Sequence, residues 1–239
     1  MSDLTAAGGA SEAPGGQAAQ GARRAHGAQA AQAVWYVAYG SNLALDRFRR
    51  YLRGGRPSGG LRDYTGCRDA RDPARVVSLH VPGGLVLAGE YGALRGGMAF
   101  FDRKAAGSIA ARASLVSGEQ FADVTAQEMR RPPGGDFARK LEEVLADVTA
   151  VHTFGPGLYE TIVPLGTLEG APLLTVTHGD VAELALAAPS AAYLGQIATG
   201  LHEAHRWGAQ QIGTYLAGAP GVRGAWTAAQ LAEVARSAA

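Results

Sequence analysis

Short runs of β-branched and aromatic residues crowd the middle of this 239-residue chain, and apolar spacings of three or four gather towards its end. A parallel βαβ architecture would alternate the two periodicities along the chain. Strands grouped ahead of helices argue an α+β domain instead. The first strand is expected over 34–39, where Val34-Trp35-Tyr36-Val37-Ala38-Tyr39 is apolar throughout and therefore buried. Further strands are expected over 76–81, 85–91, 97–101, 109–116, 159–163 and 173–177. Leu45, Phe48 and Leu52 share one helical face, so a short helix is expected over 43–52, with Ser41 or Asn42 as its N-cap. Other helices are expected over 118–130, around Phe137 to Leu145, around Tyr193 to Leu201, and from the cap Thr227 to about Arg236. Segments 54–74 and 216–224 read as loops.

Residues 1–33 stand apart. They hold mostly Ala, Gly and Gln, with no aromatic residue and one leucine. Such a segment buries too little apolar surface to offset its conformational entropy, so a disordered tail is expected there and a domain over 34–239. Arg23-Arg24 is followed by small and polar residues rather than an apolar stretch, which argues against an export signal.

Charge and cysteine content narrow the function classes. With 22 basic and 21 acidic residues the net charge is +1, which gives no chain-wide field for nucleic acid. Asp46 to Arg75 is locally basic, with nine arginines, but aspartates are interspersed and a solvated surface is the expected reading. Cys67 is the single cysteine, so intramolecular disulfides and cysteine zinc knuckles are excluded and a cytoplasmic location is expected. No apolar run reaches the roughly 20 residues that a spanning helix needs.

The most informative junction is Tyr39-Gly40-Ser41-Asn42-Leu43. A strand ends, glycine lets the backbone turn and a ligand approach, and the amides that open the next helix have no intrahelical partner. This is not a nucleophile elbow, because Tyr39 and Leu43 occupy the positions where that pattern places glycine.

Set directly after an apolar strand, this run resembles the signature of the gamma-glutamylcyclotransferase family. Three further elements follow in the family's order. Arg95-Gly96-Gly97-Met98-Ala99-Phe100 is similar to its Gly-Gly-apolar-Ala strand. Phe121, Val124, Gln127 and Glu128 are similar to the helix bearing its catalytic glutamate, and Pro189-Ser190 with Tyr193 to a late helix start. The resemblance spans 34 to about 207. It implies a small mixed β-barrel with flanking helices and a reaction without cofactor or metal. In that reaction the α-amine of a gamma-glutamyl amide attacks its own γ-carbonyl, releasing 5-oxoproline and a free amine.

Cyclisation of this kind gains from proximity, and it needs donors for the oxyanion and a carboxylate to shuttle the proton. By the resemblance Glu128 is the catalytic acid–base, and Tyr39, Gly40, Ser41, Asn42 and Leu43 form the substrate-binding loop. Glu119 is the fallback and Glu90 a third choice. Thr125-Ala126 and Met129 stand where the family carries an acidic residue and a glycine, which suits the same chemistry on a specialised metabolite. A non-catalytic small-molecule-binding homologue is the rival of another class. His202 and His205 are three apart, unlike zincin spacing, and read as a solvated helix face. The expected partner is a small gamma-glutamyl substrate, with no nucleic acid or membrane; a homodimer stays open.

Overall fold

The computed structural model describes residues 32–57, 63–91 and 96–238. The tail expected over 1–33 lies outside the described residues except for its last two. Ala33 already belongs to the first strand.

Strand β1 (Ala33–Ala38) is central to a six-stranded mixed sheet of order β2-β5-β1-β8-β7-β6. It runs antiparallel to β5 (Ser108–Ser117) and parallel to β8 (Ala171–Thr177). Strand β2 (Arg75–Pro82) closes one edge, and β7 (Thr161–Leu168) with the two-residue β6 (His152–Thr153) closes the other. Its central place explains the unbroken apolar run of β1. Val34, Tyr36 and Ala38 face one core, while Trp35 and Val37 face the other. A strand covered on both faces has no reason to alternate with polar residues.

Helices cover both faces. On the Tyr36 side lie α1 (Leu45–Arg53), α2 (Gly118–Glu128) and α3 (Asp136–Leu145). On the Trp35 side lie α4 (Ala191–His205), α5 (Ala209–Ala217) and α6 (Ala228–Ala238). The α+β reading holds, but the sheet is open rather than closed into a barrel. Strands β3 (Gly84–Tyr91) and β4 (Gly96–Asp102) form a separate two-stranded ribbon. The ribbon is tied to the large sheet by a side chain. Thr177 Oγ1 accepts from the Phe101 N–H at 3.0 Å and donates to the Phe101 carbonyl at 2.9 Å.

Two local expectations differ from the structure. Helix α5 was not expected, and it packs through a glycine as well as through Ile212 and Leu216. A Cβ on Gly213 would stand 2.4 Å from the Ala228 carbonyl oxygen at the start of α6, so closeness replaces bulk there. Neither Ser41 nor Asn42 caps α1: its N-cap is Ala44, and the Leu45 N–H is taken by Glu203 Oε2 of α4 at 3.0 Å. The true capping boxes lie elsewhere. In α2, Ser117 Oγ accepts from Gln120 N–H while Gln120 Oε1 accepts from Ser117 N–H, which fixes where that helix begins.

Candidate active site

The turn after β1 is pressed between the ribbon and α4. Gly40 has a negative φ of −110°, so left-handed backbone is not what requires glycine there. Space is the reason. A Cβ would sit 3.0 Å from Ala99 Cβ of β4 and 3.5 Å from the Tyr193 hydroxyl of α4. Residues Ser41–Leu43 then form one 3-10 turn whose first internal bond runs from Leu43 N–H to the Gly40 carbonyl. The amides of Ser41 and Asn42 precede that bond, so the turn itself supplies them no acceptor. Leu43 departs from the substrate-binding role expected of it. Its side chain is fully buried in the core, and Gly200 of α4 packs against it so closely that a Cβ there would lie 2.3 Å from Leu43 Cβ. Leu43 anchors the turn from behind.

Ser41 and Asn42 use their side chains on partners in other elements. Ser41 Oγ accepts from Arg47 Nε at 2.9 Å. Asn42 Nδ2 donates to Glu128 Oε1 at 2.8 Å and to the Tyr36 hydroxyl at 3.1 Å. Glu128 is the last residue of α2, the end at which the helix dipole disfavours an anion, so helix stability does not account for a carboxylate there. The chain leaves α2 at once, through Met129 and the left-handed Arg130 (φ 57°).

Tyr39, Gly40, Ser41, Asn42 and Glu128 all border one cavity of about 310 Å³. Met98 and Ala99 of β4 and Tyr193 of α4 border it too, so all four elements singled out in the sequence converge on this space. Ala99 is held from both sides. Its N–H donates to the Tyr193 hydroxyl at 3.0 Å, and its carbonyl accepts from the Tyr159 hydroxyl at 2.8 Å. Burial raises the phenol pKa of Tyr36, with the charge on Glu128 adding to it, and burial raises Tyr159 and Tyr193 as well. These phenols therefore stay protonated as neutral hydrogen-bonding groups.

The structure separates Glu119 from this cavity. Its carboxylate lies 3.3 Å from Arg68 Nη1, in a cluster where Arg68 also pairs with the buried Asp123 and Glu142. The side chain of Glu90 lies outside the described residues. Cys67 is half-buried, and burial pushes its thiol pKa up, away from reactivity. His202 Nδ1 and His205 Nε2 approach the carbonyls of Trp207 and Ala111, at 3.0 and 3.1 Å. Among the described residues no cluster of His, Cys, Asp and Glu is arranged to hold a metal ion. Nor is any helix among them long and apolar enough to cross a membrane.

Arg47, Tyr36, Tyr51, Tyr64 and Glu160 also line the cavity and were not singled out in the sequence. Arg47 follows Ser41 by six residues within an arginine-rich stretch, which conceals it among surface arginines. Glu160 Oε1 accepts from Arg131 Nη2 at 2.7 Å and forms part of the rim.

No protein family and no curated protein matches the chain. Among solved structures, a gamma-glutamyl cyclotransferase aligns with a TM-score of 0.42 and 12% identity, over 86% of this chain and 99% of its own. An uncharacterized protein from Homo sapiens aligns with a TM-score of 0.41 and 15% identity, over 72% of this chain and 80% of its own. At such values neither likeness extends to chemistry.

Proposed function

We propose that the chain is an enzyme that cleaves gamma-glutamyl amides by cyclisation. The observation that carries this reading is the 2.8 Å hydrogen bond between Asn42 of the turn and Glu128 of α2, on the wall of one cavity. It ties the Glu128 carboxylate to the turn that carries the Ser41 and Asn42 amides.

The chemistry follows from these groups. A gamma-glutamyl amide folded in the cavity brings its α-nitrogen against its γ-carbonyl, and ring closure then costs little further ordering. Glu128 accepts a proton from the α-ammonium, freeing the lone pair that attacks the carbonyl carbon. The new C–N bond forms as the carbonyl oxygen gains charge, which in this scheme the Ser41 and Asn42 amides meet. Glu128 returns its proton to the leaving nitrogen as the original C–N bond breaks. The ring nitrogen sheds its second proton, and the departing amine takes one up on reaching water. The products are 5-oxoproline and a free ammonium. Ser41 forms no covalent intermediate in this scheme, because the nucleophile belongs to the substrate.

Incubating the protein with a panel of gamma-glutamyl amines and following 5-oxoproline tests the reading. Release of 5-oxoproline together with the free amine supports it. Release of glutamate instead would make the protein a hydrolase.

A further inference from the structure

Arg47 is a charged residue of the cavity wall that the reaction above leaves unused. Its guanidinium is held by two hydroxyls, Nε donating to Ser41 Oγ at 2.9 Å and Nη2 to the Tyr64 hydroxyl at 3.1 Å. Tyr64 also lies beneath it, with the ring centroid 6.0 Å from Cζ. Both hydrogen-bond partners are neutral. Among the described residues Arg47 forms no ion pair, whereas its neighbours on α1, Arg49, Arg50 and Arg53, each pair with an aspartate. A half-buried guanidinium that feels the Glu128 charge but has no directly paired anion gains from an arriving one. Its planar fork is suited to accept a carboxylate with two parallel bonds.

The turn hangs two opposite charges of the cavity on consecutive residues. Ser41 holds the cation Arg47, and Asn42 holds the anion Glu128. Consecutive Cα atoms are about 3.8 Å apart. An α-amino acid group is itself a cation and an anion borne on one carbon, with the signs reversed.

We propose that Arg47 recognises the free α-carboxylate of the ligand and thereby sets the α-amine against Glu128. The cavity then takes gamma-glutamyl compounds whose α-carboxylate is unblocked and rejects those in which it is amidated. This rests on the cyclising reaction proposed above. Arg47 itself is a binding and specificity residue and moves no proton.

The test compares a gamma-glutamyl amide with its α-carboxamide counterpart, in the wild type and in Arg47→Gln and Arg47→Lys. Losing a charge-assisted pair should cost the carboxamide roughly 10- to 100-fold in kcat/KM in the wild type, mostly through KM. In Arg47→Gln that ratio should fall to near one, and Arg47→Lys should restore part of it. Equal use of both substrates by the wild type overturns the proposal, and this arm stands even if the glutamine variant fails to fold. So does an Arg47→Gln variant that slows both substrates by one common factor, since Arg47 would then only prop the turn.

Calorimetry with 5-oxoproline and 5-oxoprolinamide separates the two layers. Binding of 5-oxoproline that is lost in Arg47→Gln, from a protein that turns over no gamma-glutamyl amide, keeps the carboxylate site and removes the cyclisation. Wild-type protein that binds neither compound and turns over no amide overturns both.

Discussion

Asn42 and Glu128 lie 86 positions apart in sequence, and Asn42 Nδ2 meets Glu128 Oε1 at 2.8 Å. The same amide nitrogen also donates to the hydroxyl of the buried Tyr36 at 3.1 Å. One side chain thus ties the first strand, the turn and the end of α2 together. Asn42→Ala should lower turnover and also destabilise the fold by about 1–3 kcal/mol, because the Tyr36 hydroxyl loses its donor. Turnover with melting curves on the same sample checks this. Unchanged turnover would show that Glu128 needs no positioning by Asn42.

Gly40 is held to glycine by crowding against Ala99 and Tyr193, and not by its backbone angle. Replacement should therefore scale with size. Gly40→Ala should lower activity and melting temperature modestly, and Gly40→Val should remove most activity. Equal effects of the two would point to backbone conformation as the constraint.

Ser41 Oγ accepts from Arg47 and caps no helix. Ser41→Ala should weaken turnover several-fold by loosening Arg47, and no acyl adduct on Ser41 should appear by mass spectrometry in the wild type. An adduct at that position would replace cyclisation by a serine mechanism.

The Arg68 cluster separates stability from catalysis. Asp123 is fully buried and accepts from Arg68 and from the Gly134 N–H. Asp123→Ala should cost about 3–5 kcal/mol, as expected when one partner of a buried ion pair is removed. Glu119→Gln should cost less and leave kcat essentially unchanged, since Glu119 faces Arg68 and not the cavity. Loss of turnover in Glu119→Gln, with Glu128→Gln fully active, would reverse the assignment.

Burial lowers the pKa of His205, and the neighbouring His80, 5.1 Å away between ring centroids, lowers it further. A folded-state pKa below the unfolded value of about 6.5 means that the unfolded chain binds more protons between the two values. This contribution to stability is present above pH ~6.5 and is lost as pH falls through the folded-state pKa. Melting temperature should drop on acidification from pH ~7 through that window, and His205→Gln should flatten the drop there. A drop of equal size in the variant would place its origin in other groups.

Much of this organisation is legible in the sequence, and the reasons differ by element. The apolar run before Gly40 announces a buried strand because both faces of β1 are covered. Glu128 and the turn were drawn together by the order of motifs, and the fold brings them into contact. The open sheet was not legible, and the barrel implied by the resemblance is not formed: strand content carries no information on closure, and the ribbon β3–β4 stays separate from the sheet. Leu43 looked like part of a binding loop, yet alternation around a turn sends it into the core beside Gly200. Arg47 was hidden because its lack of a direct ion pair among the described residues is a tertiary property. Its neighbours Arg49 and Arg50 look the same in sequence and are paired.

The central claim is that Glu128 shuttles the proton in a cyclising cleavage, and Glu128→Gln tests it most directly. The variant keeps the size of the side chain and removes its proton transfer. With a gamma-glutamyl amide that the wild type converts to 5-oxoproline, kcat should fall by about 10²- to 10⁴-fold while KM and melting temperature stay close to wild type. Full activity in Glu128→Gln would contradict the assignment and remove the proposed mechanism.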